Sequence, residues 1–205
     1  MKKTLLIISL TIFTLTIVNA QKKINFGVKG GINFSNMTSD YFAESESKTG
    51  FHIGLVAEIP IVNKFSIQPE ILYSEQGTNA SEMMLGGGPI KYEYKLDYLQ
   101  VPILAKLNVY KNLSIELGPS FNFLTYDKKI RRSDLPDIIV GNETIPQEKY
   151  FDANGNSFEF SGIIGISYKF IGGFFGNARY IQGMSDAIDS GVKNNSFQIG
   201  VGYFF

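Results

Sequence analysis

The residue best suited to acid–base chemistry in this 205-residue chain is His52, which is its only histidine. A histidine beside a hydroxyl nucleophile and an orienting carboxylate can transfer an acyl group. Ser35 and Asp40 could lie close enough to take those two roles. No motif fixes their geometry, so a hydrogen-bonded histidine without a catalytic role is the competing interpretation. We assign no catalytic residue and keep a His52-dependent acyltransferase-like enzyme as an alternative.

Charged residues of both signs recur on the polar face of alternating segments. A lone charge in a closed interior would be costly, whereas a paired and hydrogen-bonded one is tolerated. The pattern therefore predicts an internal, structural ion-pair network. Its members are Lys29, Glu58, Glu70, Lys106, Glu116 and Arg179.

Eight segments that alternate with period two must position these residues. Each is about as long as the 9 to 11 residues with which a tilted strand crosses a bilayer, or slightly longer. The segments are 24–35, 51–60, 65–76, 96–109, 113–124, 158–170, 173–184 and 195–205.

The connections between these segments alternate between long and short. The long ones are 36–50, 77–95, 125–157 and 185–194, and the short ones are 61–64, 110–112 and 171–172. Outer-membrane barrels have this asymmetry, with tight turns in the periplasm and long loops outside. An even number of strands returns both ends of the chain to the periplasm.

The first 20 residues are typical of a secretory signal peptide, with two lysines, an apolar run and cleavage expected between Ala20 and Gln21. Residues 21–205 then form one domain. Removal of two lysines leaves 19 − 2 = 17 basic and 19 acidic residues, which gives no general attraction for nucleic acid. The chain contains no cysteine, so disulfides and thiolate metal sites are excluded, and we predict no cofactor or metal.

The polar face of the segments is made mostly of small residues, with one or two charges in each. Long charged side chains would be expected on a face that meets water, and small ones suit the narrow interior of an eight-stranded barrel. Aromatic residues near the strand ends fit the girdles of a membrane barrel. They are Phe34, Phe51, Phe65, Tyr73, Phe158, Tyr168, Phe170, Tyr203 and Phe205. The sequence thus predicts an all-β, eight-stranded, antiparallel, up-and-down transmembrane β-barrel after a cleaved signal peptide.

Three motifs resemble the PorT-like outer membrane β-barrel family of Bacteroidetes: INFGVKGGINFSNM, YLQVPILAK at 98–106 and ELGPSFNFL. The family's Tyr-Leu-x-x-Pro segment in strand 4 matches Tyr98, Leu99 and Pro102. The resemblance implies that Tyr203 and Phe205 act as the signal read by the barrel assembly machinery. Its founding member is linked to type IX secretion, although most members have no assigned activity.

The short basic run Lys128, Lys129, Arg131 and Arg132 lies just above the fifth segment. It could contact lipid A phosphates or an acidic partner, and a solvated loop is the alternative. We expect an integral outer-membrane barrel with a filled lumen, surrounded by outer-membrane lipid. We expect a structural or interaction role through the loops 77–95 and 125–157, and an association with secretion is one form of it. A lipid acyltransferase using His52 and a small channel or ligand-binding barrel stay as alternatives.

Overall fold

The framework of the protein is almost entirely β-strand. The computed structural model describes residues 23–38, 42–83, 89–132, 138–140, 143–145, 148–188 and 191–205. In these residues no helix has the length and apolar character needed to cross a membrane. The strands are β1 Asn25–Thr38, β2 Phe42–Val62, β3 Phe65–Met83, β4 Pro89–Tyr110, β5 Leu113–Arg132, β6 Ile138–Val140, β7 Glu143–Ile145, β8 Glu148–Phe151, β9 Phe158–Lys169, β10 Phe174–Gly183 and β11 Lys193–Phe204.

Eight of these strands close into a ring. Their order is β1–β2–β3–β4–β5–β9–β10–β11, and all neighbours pair antiparallel. The ring is closed by β1 and β11, whose register runs from Gly27 opposite Phe204 to Thr38 opposite Lys193. Strand β8 pairs with β5 above Phe123, the position opposite the first residue of β9. Strands β6 and β7 form a separate two-stranded sheet. The predicted eight-stranded antiparallel barrel is confirmed.

The two faces of the barrel wall are inverted relative to those of a water-soluble barrel. Ile53, Leu55 and Val201 point outward with 58%, 61% and 68% of their surface exposed, whereas Lys29 and Asn33 point inward with 2% and 0% exposed. Water would penalise both faces, because the outer wall is a continuous apolar surface and the inner one carries buried charge. The outer wall is suited to the apolar interior of a membrane.

Aromatic rings border this apolar belt at both ends. Phe123 and Phe158 pair at the upper border, on the side of the long connections, with centroids 5.5 Å apart. Phe174 and Tyr203 pair at the lower border, 5.0 Å apart. A strand that rises ~3.3 Å per residue and is tilted by about 40° climbs roughly 25 Å over ten residues, which is the height of the apolar band in outer-membrane barrels. The borders therefore mark one bilayer-thick belt.

Four strands extend further above the belt than the sequence predicted. Strand β2 begins at Phe42, β3 runs to Met83, β4 begins at Pro89 and β5 runs to Arg132. Much of the predicted loops 36–50, 77–95 and 125–157 is therefore strand. Hydrophobic alternation disappears once both faces of a strand leave the membrane, but the backbone ladder continues, so the pattern alone placed the strand ends too low.

The tall side of the wall is covered inside by an apolar cap. Segments 152–157, 185–188 and 191–192 fold over the mouth, where Gly155 bridges to Ile188 and the Asn156 amide donates to the Ala187 carbonyl. The cap and the inner wall form one buried cluster. It contains Met37, Ala80, Tyr94, Leu96, Tyr98, Ala153, Ala187, Ile188 and Val192.

Candidate functional site: the charged lumen

Arg179 is the centre of the charged lumen. Its Nη1 and Nη2 donate to the two carboxylate oxygens of Glu70 at 2.8 and 2.7 Å, and its Nε donates to Glu116 Oε2 at 2.6 Å. This two-pronged pairing is the strong form of an arginine–carboxylate contact. Gly165 lies opposite Arg179 on β9, and a Cβ atom there would lie 2.6 Å from Arg179 Cγ. The missing side chain at Gly165 gives the arginine stem its room.

Two lysines extend the network from this centre. Lys29 Nζ lies 3.5 Å from Glu70 Oε2. Lys106 Nζ lies between two carboxylates, 3.4 Å from Glu58 and 3.3 Å from Glu116. The structure thus brings together all six charged residues that the sequence placed in the lumen.

Sequence reasoning missed three further members of the lumen. Lys169 donates to Glu58 Oε1 at 2.6 Å, and its side chain is 36% exposed. Gln68 accepts from Lys106 at 2.9 Å and donates to Glu70 at 2.5 Å. Glu159 is buried and accepts from the Ser161 hydroxyl at 2.9 Å. The inward parity of their own strands, already visible in the sequence, would have identified all three.

This arrangement is suited to a structural role, in which ion pairs hold the strands together across the lumen. Among the described residues the network joins Lys29, Lys106, Lys169 and Arg179 to Glu58, Glu70 and Glu116. Each charge in this network has at least one opposite partner, which offsets part of the cost of its burial. No group of three or more histidine or acidic side chains in the described ranges could hold a metal ion.

His52 is held by amide and glycine neighbours. It is 1% exposed, and its Nδ1 lies 2.7 Å from Asn33 Oδ1. The Ser35 hydroxyl instead donates to the Gly77 carbonyl and accepts from the Gly77 amide, both at 2.9 Å, and Asp40 lies outside the described residues. The hydrogen bonds that the structure shows for His52 and Ser35 do not connect them. His52 is thus buried on the inner face of β2 and hydrogen-bonded there.

The predicted basic run is part of β5 and is divided between its two faces. Lys129 lies over the Tyr92 ring, 4.1 Å from its centroid, and over the buried Tyr94 on the inner side. Lys128 lies between the exposed rings of Tyr126 and Tyr150, at 5.9 and 5.7 Å. Successive residues of a strand point to opposite faces, so Arg131 follows the side of Lys129, and the side chain of Arg132 lies outside the part of the chain that the structure describes. Lys128 therefore does not form one patch with Lys129 and Arg131.

The aromatic pair at the end of β11 faces outward. Tyr203 is 39% exposed and Phe205 is 67% exposed, with their rings 6.1 Å apart. The Phe205 amide donates to the Phe26 carbonyl at 2.8 Å. Between them Phe204 points inward and stacks on the buried Phe175 at 4.5 Å. The role of Tyr203 and Phe205 as an assembly signal stays a prediction.

Comparison with known proteins agrees with this architecture. A family model described as outer membrane protein beta-barrel domain matches residues 19–189. The crystal structure of Neisserial surface protein A superposes with a TM-score of 0.54 at 12% identity, over 90% of this chain and 100% of that one. Ail, the attachment invasion locus protein of Yersinia pestis, superposes with a TM-score of 0.52 at 16% identity, over 90% of this chain and 100% of its own, in a complex with the heparin analogue sucrose octasulfate. At these identities the likeness shows the fold alone. None of the curated protein sequences matches the chain.

Proposed function

The chain belongs to the outer membrane protein β-barrel domain family, and from that premise we propose that it is a closed barrel that functions through the hairpins above the membrane. In this proposal the barrel is a structural anchor in the bacterial outer membrane. The tall walls of β2 to β5 present an interaction surface above the bilayer. The observation that carries the proposal is the filling of the lumen.

Two layers in series fill the lumen. The ion-pair network around Arg179 braces the interior, with all three of its carboxylates paired to cations. Above it, the apolar cap packs Tyr98 and Leu96, each 0% exposed, against Ile188 and Val192. A hydrated path for ions would need both layers to open.

The proposal predicts that the purified protein does not conduct ions. In planar bilayers, we expect no stable ohmic step from the wild type, and none from Tyr98→Ala, because the Arg179 network still closes the lumen below the cap. A known porin reconstituted in parallel is the positive control. A stable, large-conductance open state of the wild type would reject the filled lumen and favour the channel alternative.

The upper outer wall supports an interaction role. Tyr126 and Tyr150 are 44% and 57% exposed, and Lys128 lies over both rings. Lys95 and Lys128 are directly opposite each other in the β4–β5 ladder, where two like charges repel. Aromatic residues are enriched in protein interfaces, and an anionic group bound beside the two lysines would relieve their repulsion. We include lipid A phosphates and an acidic protein partner as its candidate ligands.

The proposed orientation predicts a protease pattern on intact cells. Trypsin should cut within 125–157, for example at the exposed Lys149, and should spare the exposed Lys64 in the short turn between β2 and β3. Permeabilised cells supply the control, because Lys64 should then become accessible. Cleavage at Lys64 in intact cells would invert the topology.

We also propose that the protein is PorT-like and that one of its roles is in protein secretion. The positions of the Tyr-Leu-x-x-Pro motif residues in the barrel support this assignment. Tyr98 packs in the cap, Leu99 lies in the apolar belt, and Pro102 lies in the gap between the pairs Pro69–Ile103 and Leu72–Gln100. A proline has no amide hydrogen for the ladder. Pull-down through the upper hairpins, compared between the wild type and Tyr126→Ala with Tyr150→Ala, tests whether this wall recruits a partner.

A further inference from the structure

The outer wall contains an apolar groove that the lumen-centred function does not use. It lies across β5, β9 and β10, in the half of the belt nearer the long connections, and has a volume of about 450 Å³. The groove is lined by Leu117, Pro119, Gly162, Ile164, Tyr180 and Met184, among others. Pro119 and Gly162 are directly opposite each other in the β5–β9 ladder. Because these two residues add little side-chain volume to the outer face, a depression remains between their larger neighbours.

The polar groups above this groove are arranged in a line. The Tyr180 hydroxyl donates to Gln182 Oε1 at 3.1 Å, and Gln182 Nε2 donates to Asn195 Oδ1 at 2.6 Å. Asn195 Nδ2 in turn donates to Thr38 Oγ1 at 3.5 Å. Lys193 follows on the same face of β11, two residues above Asn195, and is exposed. Going up the wall, the order is an apolar groove, neutral hydrogen-bonding groups and a cation.

We propose that this groove is a binding site for one acyl chain of an anionic, phosphate-bearing membrane lipid. The chain fills the groove, the linkage region meets Gln182 and Asn195, and the phosphate lies near Lys193. The groove has the volume of an ordinary ligand pocket, and its place within the belt means that lipid is what reaches it. From the middle of the membrane outward, the wall presents an apolar groove, neutral hydrogen-bonding groups and a cation, and the lipid presents its acyl chain, linkage region and phosphate in the same order. The proposal needs the wall to lie in the bilayer and does not depend on a filled lumen.

The structure offers a matched pair of glycines for the test. A Cβ atom at Gly162 would meet only the flexible end of Met184, with Cε at 2.6 Å and Sδ at 3.8 Å. Gly162→Leu should therefore fold and fill the groove. Gly176 is a second outward glycine, in the lower half of β10, where a Cβ atom would lie 3.4 Å from the Phe170 ring. Gly176→Leu is the control for adding the same side chain to the belt elsewhere.

The measurement is native mass spectrometry of the detergent-purified barrel with equimolar dioleoyl phosphatidylglycerol and dioleoyl phosphatidylcholine. We expect the wild type to retain a bound lipid and to prefer phosphatidylglycerol about fivefold, which corresponds to ~1 kcal/mol for one lysine near a membrane surface. Gly162→Leu should lose about nine-tenths of both adducts, whereas Gly176→Leu should keep them. Lys193→Gln should keep binding and lose the preference, and Lys64→Gln, at the opposite end of the barrel, should keep both. The heat-dependent gel shift of each variant confirms that it is folded.

Three outcomes would overturn the proposal. The first is equal lipid retention by folded Gly162→Leu and wild type. The second is an unchanged preference for phosphatidylglycerol in Lys193→Gln. The third is a protein dimer in the native spectrum that dissociates on Gly162→Leu, because the groove would then be covered by a second copy of the chain.

Discussion

Replacing Arg179 with methionine is expected to destabilise the folded barrel by roughly 3 to 5 kcal/mol, the usual cost of removing one partner from a buried ion pair. Arg179 has no exposed side-chain surface and pairs with Glu70 and Glu116. Methionine keeps much of the volume but leaves both carboxylates short of a cation, since Lys29 and Lys106 hold them only through longer contacts of 3.3 to 3.5 Å. The free energy of unfolding in urea, followed by the loss of the heat-dependent gel shift, measures the effect.

Lys169→Met is the matched control for this prediction. Lys169 also pairs with a network carboxylate, but its side chain is 36% exposed, so water can replace it and the expected loss is below about 1 kcal/mol. Adding Glu70→Gln to Arg179→Met should recover part of the lost stability, because it removes one stranded charge. If Arg179→Met and the wild type unfold at the same urea concentration, the network does not brace the barrel.

Gly200→Ala should also destabilise the barrel, by about 1 to 3 kcal/mol, the typical cost of overpacking a filled interior. A Cβ atom at Gly200 would lie 2.9 Å from His52 Nε2 and 3.0 Å from Asn177 Oδ1. His52 is already tied to Asn33, so its ring cannot move aside without breaking that hydrogen bond. The free energy of unfolding should fall accordingly.

A double-mutant cycle separates this crowding from a general effect of alanine. His52→Ala makes room for the new methyl group, so Gly200→Ala should cost at least 0.5 kcal/mol less in that background, the lower end of couplings between residues in contact. Gly30→Ala is the control on the outer side, where the nearest atom to a new Cβ is the His52 carbonyl oxygen at 3.5 Å. Additive effects of His52→Ala and Gly200→Ala would show that the imidazole does not fill this space.

The charged lumen shows how far period-two reasoning can be carried. Parity placed Lys29, Glu70 and Arg179 on one face, because side chains of a strand alternate whatever the sheet packs against. Which cation meets which carboxylate depends on register and on the curvature of a closed ring. The two-pronged contact of Arg179 with Glu70 joins β10 to β3 across the barrel. No spacing along the chain encodes such a contact.

The part of the protein above the membrane shows where that reasoning ends. Outside the bilayer, polar residues occupy both faces of a strand, so alternation no longer marks the extensions of β2 to β5. The basic run at Lys128 and Lys129 looked like one patch in sequence and is divided between two faces. The apolar cap was also missed, because it joins Tyr94 and Leu96 to Ile188 and Val192 from segments far apart in the chain.

The sequence by itself determined the number of barrel strands and which face of the wall carries the charges. Both follow from local rules: the alternation of side chains along a strand and the cost of exposing apolar residues to water or charges to lipid. Only the tertiary structure decided how the charges pair, how high the walls rise and what closes the mouth. Those features depend on closure of the ring, where β1 meets β11 and β5 meets β9, and on which distant side chains that closure brings into contact.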